Sequence, residues 1–270
     1  RHAGRPQSAA WMQLPAGTFR PLAVLPMVLA AIFICGPAAR AAPALIEDSL
    51  AQRLVACTVC HGASDRRAAD AYRPRLAGKP AGYLLHQLLN FRDGRRHYGP
   101  MVALVEGLPE PWLREIADHF ATLDLPHQPL PGSGEPLPAA LAERGRRLAL
   151  EGDVTRRIPA CASCHGPRLT GVQPATPGLL GLPRDYLVGQ LGAWRSGERQ
   201  ALAPDCMAEV VRGLSAEDVA AVTAWLASQP QPQPYRPEAG LDRPAPLHCG
   251  SVVNSIARPA PAASSTGARP

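Results

Sequence analysis

The heptapeptide Ala56-Cys57-Thr58-Val59-Cys60-His61-Gly62 returns 104 residues later as Ala160-Cys161-Ala162-Ser163-Cys164-His165-Gly166. This repeat is the strongest constraint on the fold, because it calls for two structural units built alike. The match runs on past the cysteines. Tyr83, Gln87, Leu88, Phe91 and Gly94 recur as Tyr186, Gln190, Leu191, Trp194 and Gly197, and Met101 and Leu108 recur as Met207 and Leu214. Two homologous modules follow, residues 42–131 and 132–229. Asp124 to Pro138 holds five prolines and two glycines, a composition that cannot continue a helix and suits an extended linker.

Each module reads as helical. Leu45, Ile46, Leu50 and Leu54 fall at near-helical spacing before the first cysteine pair, and Leu141, Leu148 and Leu150 precede the second. Residues 83–92 and 186–195 read as a middle helix. A last helix starts near Pro109 and buries Trp112, Leu113, Ile116, Phe120 and Leu123. Its counterpart starts at Ser215, with Asp218 completing a capping box, and buries Val219, Val222, Trp225 and Leu226. No alternating strand pattern stands out. The expected class is all-α.

Residues 1–41 contain four arginines and no carboxylate, and an apolar run from Pro21 to Cys35. That run has the length of a signal-peptide core and falls short of the roughly 20 residues a membrane span needs. Ala39-Arg40-Ala41 gives an A-x-A site, so residues 1–41 are expected to be a signal peptide cleaved after Ala41 or Ala42. An uncleaved anchor is the alternative. Cys35 follows Ile34, which is bulkier than the small residue expected before a lipidated cysteine. Export places the mature chain in an oxidising compartment. Beyond the signal, residues 42–131 carry ten basic and ten acidic side chains, and residues 132–229 again ten and ten. Without a basic face interleaved with aromatics, nucleic-acid binding has no support.

Cys-x-x-Cys-His is compatible with haem attachment, a zinc half-site or a redox dithiol. The histidine and the two copies favour haem. Two thiols separated by two residues can form thioethers to the two vinyl groups of one haem, while the adjoining imidazole ligates the iron. Zinc would need two further thiolate or imidazole ligands per module, and between His165 and Gln229 there is only Cys206. Cys57 and Cys60, and Cys161 and Cys164, are thus the expected attachment points, with His61 and His165 as iron ligands. The expected cofactors are two covalently bound haem c. A structural disulfide or zinc remains the alternative.

The sixth iron ligand in the second module is argued by elimination. After His165 the module offers no imidazole and no lysine, which leaves Met207, with Cys206 its competitor. Met12 and Met27 lie in the export segment, so each module holds one methionine, Met101 or Met207, at a matching position. Filling a gap in the core is the ordinary use of a methionine, and the matched positions favour ligation. In the first module His86, His97 and His119 compete with Met101, His97 chief among them. His/Met ligation occupies both axial sites and raises the potential, which suits an electron carrier rather than oxygen activation. Aromatic residues make up only 5% of the chain, so a large apolar cofactor would serve as much of each core. Its loss should unfold the module. Tyr83, Phe91, Tyr186 and Trp194 either pack on porphyrin edges or fill helix cores.

With these segments in view, the chain resembles the class I cytochromes c, and its tandem arrangement is similar to the dihaem cytochrome c4 family. The resemblance is carried by ACTVCHG, RLAGKPAGYLLHQLLNFRDGRR and PMVALVEGLPEPWLREIADHFATL. In the second half it is carried by ACASCHG, LLGLPRDYLVGQLGAWRSGER and CMAEVVRGLSAEDVAAVTAWLAS. It spans about Leu45 to Ser228. It implies two all-α class I cytochrome c modules, each wrapped around a covalent haem and related by a pseudo-twofold axis, with the haems facing each other near the interface. By position, Cys57, Cys60, His61 and Met101 serve one haem, and Cys161, Cys164, His165 and Met207 the other. It also implies a periplasmic carrier of single electrons, not an enzyme. Its partners would be redox proteins: a dehydrogenase donor, a cytochrome complex or a terminal oxidase. Membrane association would come only through partners or an uncleaved signal.

Residues 230–270 depart from the pattern. With nine prolines in 229–270 they read as an extended or disordered tail outside the two-module core. Cys206 and Cys249 are the remaining cysteines of the mature chain, and the even count pairs them, clasping the tail beside Met207. Three rival functions stay open: a cytochrome subunit of a periplasmic dehydrogenase or sulfur-oxidising complex, a dihaem peroxidase, and haem-based ligand sensing. Equivalent methionines in both modules argue against the peroxidase.

Overall fold

The structure, a computed structural model, describes residues 48–62, 73–125 and 134–253. The expected signal peptide and most of the linker lie outside these residues. Among the described residues no helix is long and apolar enough to cross a membrane.

Four helices form the first half: α1 (Leu50–His61), α2 (Ala81–Arg92), α3 (Gly99–Val105) and α4 (Glu110–Thr122). The second half has α5 (Ala139–Leu150), α6 (Ala162–His165), α7 (Arg184–Ser196), α8 (Cys206–Gly213) and α9 (Ala216–Ser228), and the tail adds α10 (Gly250–Val253). Prolines set most of the starts. Pro80, Pro109, Pro138 and Pro183 stand at the N-caps of α2, α4, α5 and α7, and Pro100 sits in the first turn of α3. A proline there forfeits no helical hydrogen bond, since the first N–H groups of a helix have no partner within it. The expected capping box at α9 is present. The Asp218 N–H donates to Ser215 Oγ at 3.1 Å, and the Ser215 N–H donates to Asp218 Oδ2 at 2.9 Å.

Two apolar clusters follow the repeat. The first gathers Leu54, Leu84, Leu85, Phe91, Val105, Leu113, Ile116 and Phe120. The second gathers Leu148, Leu169, Leu180, Leu182, Tyr186, Leu187, Val222 and Leu226. In the second half α5 crosses α9 at Gly145, where a Cβ would stand 2.4 Å from the Ala221 carbonyl oxygen. The two backbones therefore touch, and only glycine fits.

Some expectations need adjustment. Trp112, Leu123, Val219 and Trp225 are half-buried rather than core residues. Trp112 instead carries the Arg53 guanidinium 3.8 Å above its ring. The helix before the second cysteine pair is broken, unlike continuous α1. Gly152 turns the chain at φ 77°, and a Cβ there would meet the Ile158 carbonyl at 2.4 Å. A two-residue antiparallel hairpin, β1 (Gly171–Val172) with β2 (Thr176–Pro177), is too short to register as alternation. Residues 230–253 of the tail, irregular until α10, pack onto the second half and end at a Cys206–Cys249 disulfide.

Candidate functional site

In the second half, Cys161 stands at the N-cap of α6, with Cys164 and His165 inside the helix. The His165 Nδ1–H donates to the Pro177 carbonyl at 2.7 Å, across the hairpin. That bond fixes the tautomer, so the Nε2 lone pair is left for a metal. Burial lowers the pKa of His165, keeping it neutral as a ligand must be. The first half repeats the device. His61 closes α1 and its Nδ1–H donates to the Pro74 carbonyl at 2.9 Å; burial lowers its pKa as well.

None of the four motif cysteines is in a disulfide. Burial pushes Cys161 up to about 11 and raises Cys57 and Cys164. A reactive redox dithiol needs the opposite shift. Among the described residues no group of three His, Cys, Asp or Glu side chains is arranged to hold a metal ion by itself.

A cavity of about 810 Å³ opens beside α6, and Cys161, Cys164, His165 and Met207 all stand on its wall. Tyr83, Tyr186 and Trp194 line it too, whereas Phe91 is buried in the first cluster. The volume lies within the range of cofactor pockets, and the lining is mostly apolar. Met207 sits in the first turn of α8. That turn is set by Asp205, whose carboxylate accepts the N–H groups of Ala201 (2.7 Å) and Ala208 (3.1 Å) and the Trp194 indole N–H (3.2 Å). An imidazole, two thiols and a thioether on one apolar cavity fit a covalently bound haem.

For the first half, Met101 on α3 and Cys57 on α1 pack against the same apolar cluster. Of the competing imidazoles, His97 is exposed, His119 is edge-on to Phe120 at 5.4 Å, and His86 is buried on the wall of the cavity beside α6. The tail also brings His248 to that wall. Elimination within residues 165–229 could not see it.

The largest feature missed in the sequence is the junction between the halves. Arg96 and Arg199 face each other in an antiparallel bridge. Arg96 donates to Gln87 (2.9 Å) in its own half and to Gln190 (2.7 Å) in the other. Arg199 donates to Gln190 (2.6 Å) in its own half and to Gln87 (2.9 Å) across the junction. Each guanidinium also stacks on an aromatic of its own half, Arg96 on Phe91 at 4.5 Å and Arg199 on Trp194 at 3.8 Å. Burial disfavours ionisation of Tyr83, yet Arg199, Arg96 and Lys79 outweigh it and hold its phenol below the ordinary value. Arg199 and Lys79 both stand on the cavity wall, where burial lowers the pKa of each.

Comparison with known proteins agrees with this fold. A family model described as cytochrome c matches residues 142–230. A thiosulfate dehydrogenase electron acceptor of Thiomonas intermedia is 36% identical over 202 residues, covering 75% of this chain and 88% of that protein. A cytochrome c4 of Pseudomonas aeruginosa is 31% identical over 172 residues, covering 63% of this chain and 82% of that protein. The crystal structure of reduced recombinant cytochrome c4 from Pseudomonas stutzeri superposes with a TM-score of 0.58 at 27% identity, over 66% of this chain and 96% of that one.

Proposed function

This chain belongs to the cytochrome c4 family of dihaem class I cytochromes c, and from that premise we propose that it accepts electrons from a periplasmic dehydrogenase acting on a sulfur oxyanion. It carries two covalently bound haem c and transfers electrons. Haem supplies reversible one-electron exchange at iron. In our reading Cys57 and Cys60 tether one haem and Cys161 and Cys164 the other. His61 and Met101 would supply the iron ligands of the first haem, and His165 and Met207 those of the second. The Pro74 and Pro177 carbonyls orient the imidazoles, and Asp205 holds the turn that presents Met207. Lys79 and Arg199 suit the carboxylates of the second haem.

The observation that carries this reading is the meeting of Cys161, Cys164, His165 and Met207 on one apolar cavity. If His165 and Met207 both ligate the iron, the site would suit electron relay rather than peroxide or oxygen chemistry. Two one-electron centres in one chain match a donor that releases electrons in pairs. The 36% identity to a thiosulfate dehydrogenase electron acceptor favours a sulfur-oxidising donor over a general respiratory one. The near-neutral halves point to a partner chosen by shape more than by long-range charge.

The test is to mix oxidised mature holoprotein with a thiosulfate dehydrogenase and thiosulfate and follow the haem spectrum. Reduction of both haems at a rate set by the dehydrogenase is expected. If both haems are reduced by ascorbate but neither by the enzyme with its substrate, the assignment of donor is wrong.

A further inference from the structure

We propose that residues 230–253 form a strap across the second haem site, tying its two axial sides together, with the Cys206–Cys249 disulfide as its clasp. The proposal rests on the haem reading above. At the imidazole side the strap extends the hairpin that holds His165. The Glu238 N–H donates to the Gly171 carbonyl at 2.8 Å, and the Gln173 N–H donates to the Glu238 carbonyl at 2.8 Å, a parallel bridge onto β1. β2, paired with β1, contributes the Pro177 carbonyl that accepts from His165. Arg168 pairs with the Glu238 carboxylate at 3.0 Å, and the Tyr235 hydroxyl donates to the Leu180 carbonyl at 2.9 Å.

At the thioether side the strap ends on α8. Cys249 is bonded to Cys206, the residue before Met207, and the Gly250 N–H donates to the Pro204 carbonyl at 3.1 Å. A Cβ on Gly250 would come within 2.2 Å of the Ala203 carbonyl, so the two backbones are in contact. Between these anchors Leu241, Leu247 and His248 stand on the cavity wall, and Val252 joins them just past Gly250. The internal repeat gives the first half no counterpart of this segment. The strap therefore distinguishes the two sites. Closed, it excludes water from the second haem and holds α8 against the hairpin, and a drier site favours the less charged ferrous iron.

The experiment uses the mature holoprotein and its Cys206→Ser/Cys249→Ser variant, each titrated optically for the two one-electron steps. Met207→Ala identifies which step belongs to the second haem. In the clasp variant the second step is expected to fall by at least a tenfold change in the reduction equilibrium, about 59 mV for one electron, and the second iron to gain reactivity toward carbon monoxide. The first step stays in place. A parallel arm opens the disulfide in folded wild-type holoprotein with a phosphine, which leaves as its oxide with oxygen from water while two thiols form. This arm decides the matter if the double variant is not exported. Two unmoved steps, or two steps that move together, overturn the strap. A wild-type haem content other than two per chain overturns the underlying haem reading instead.

Discussion

Arg96 and Arg199 exchange hydrogen bonds across the junction: each guanidinium reaches the glutamine that its counterpart holds, Gln190 at 2.7 Å and Gln87 at 2.9 Å. Two like charges lie side by side, and the amide oxygens and aromatic faces around them offset their repulsion. A point-like ammonium could not span both glutamines as a planar fork does.

Arg199→Gln is therefore expected to weaken the coupling of the halves. It removes two charge-assisted bonds, each contributing about 1.5–3 kcal/mol, and relieves one like-charge contact. A net loss of about 2 kcal/mol should appear in denaturant unfolding. The calorimetric transition should broaden or split, and Arg199→Lys should recover only part of the loss.

Met207→Ala should lower the potential of one haem and abolish its methionine-to-iron charge-transfer band, while the other haem keeps both. His248 on the same wall adds a second reading. If the altered haem stays low-spin, Met207→Ala/His248→Ala should convert it to high-spin, as optical and resonance spectra would show. Met101→Ala should affect the first haem in the same way.

Cys161→Ser/Cys164→Ser should give a protein with one haem instead of two by mass spectrometry. A ligand that binds only the folded state stabilises it, so the second half should lose helical circular dichroism and become open to proteolysis between residues 134 and 253. A fully helical one-haem product would refute the idea that the cofactor completes the core.

Asp218 ties stability to pH. Its side chain is fully buried, and burial opposes ionisation, but Arg156, the Ser215 N–H and Arg144 outweigh it and hold the carboxyl well below the usual range. A depressed folded pKa stabilises the protein at pH values above the unfolded pKa, about 3.9. That contribution fades as pH falls from there through the folded value. Asp218→Asn should cost about 1–3 kcal/mol at pH 7, and the gap to wild type should narrow in urea unfolding at pH 3.

How much could be read in advance depended on how local the signal was. The gathering of Cys161, Cys164, His165 and Met207 on one cavity, and the box of Ser215 with Asp218, were legible, because these signals work over a few residues or recur in register. Arg96 and Arg199 stand 103 residues apart, the same offset as Tyr83 and Tyr186. The repeat could have exposed them, but an arginine has no obligatory partner visible in sequence. The path of residues 230–253 was illegible for another reason. It is anchored by backbone bonds at Glu238 and by one disulfide, and neither leaves a hydrophobic period. The break between α5 and α6 depends on a close approach at Gly152, a tertiary fact.

Six cysteines of the described chain must meet two opposite fates in one place. In the haem reading Cys57, Cys60, Cys161 and Cys164 are needed as thiols, whereas Cys206 and Cys249 are joined. Maturation thus has to sort oxidation by position, and a premature bond within either Cys-x-x-Cys would cost that module its prosthetic group. The 43-residue separation of the joined pair sharpens the problem, since each motif pair is separated by only two residues and would close its ring with the smaller entropy cost.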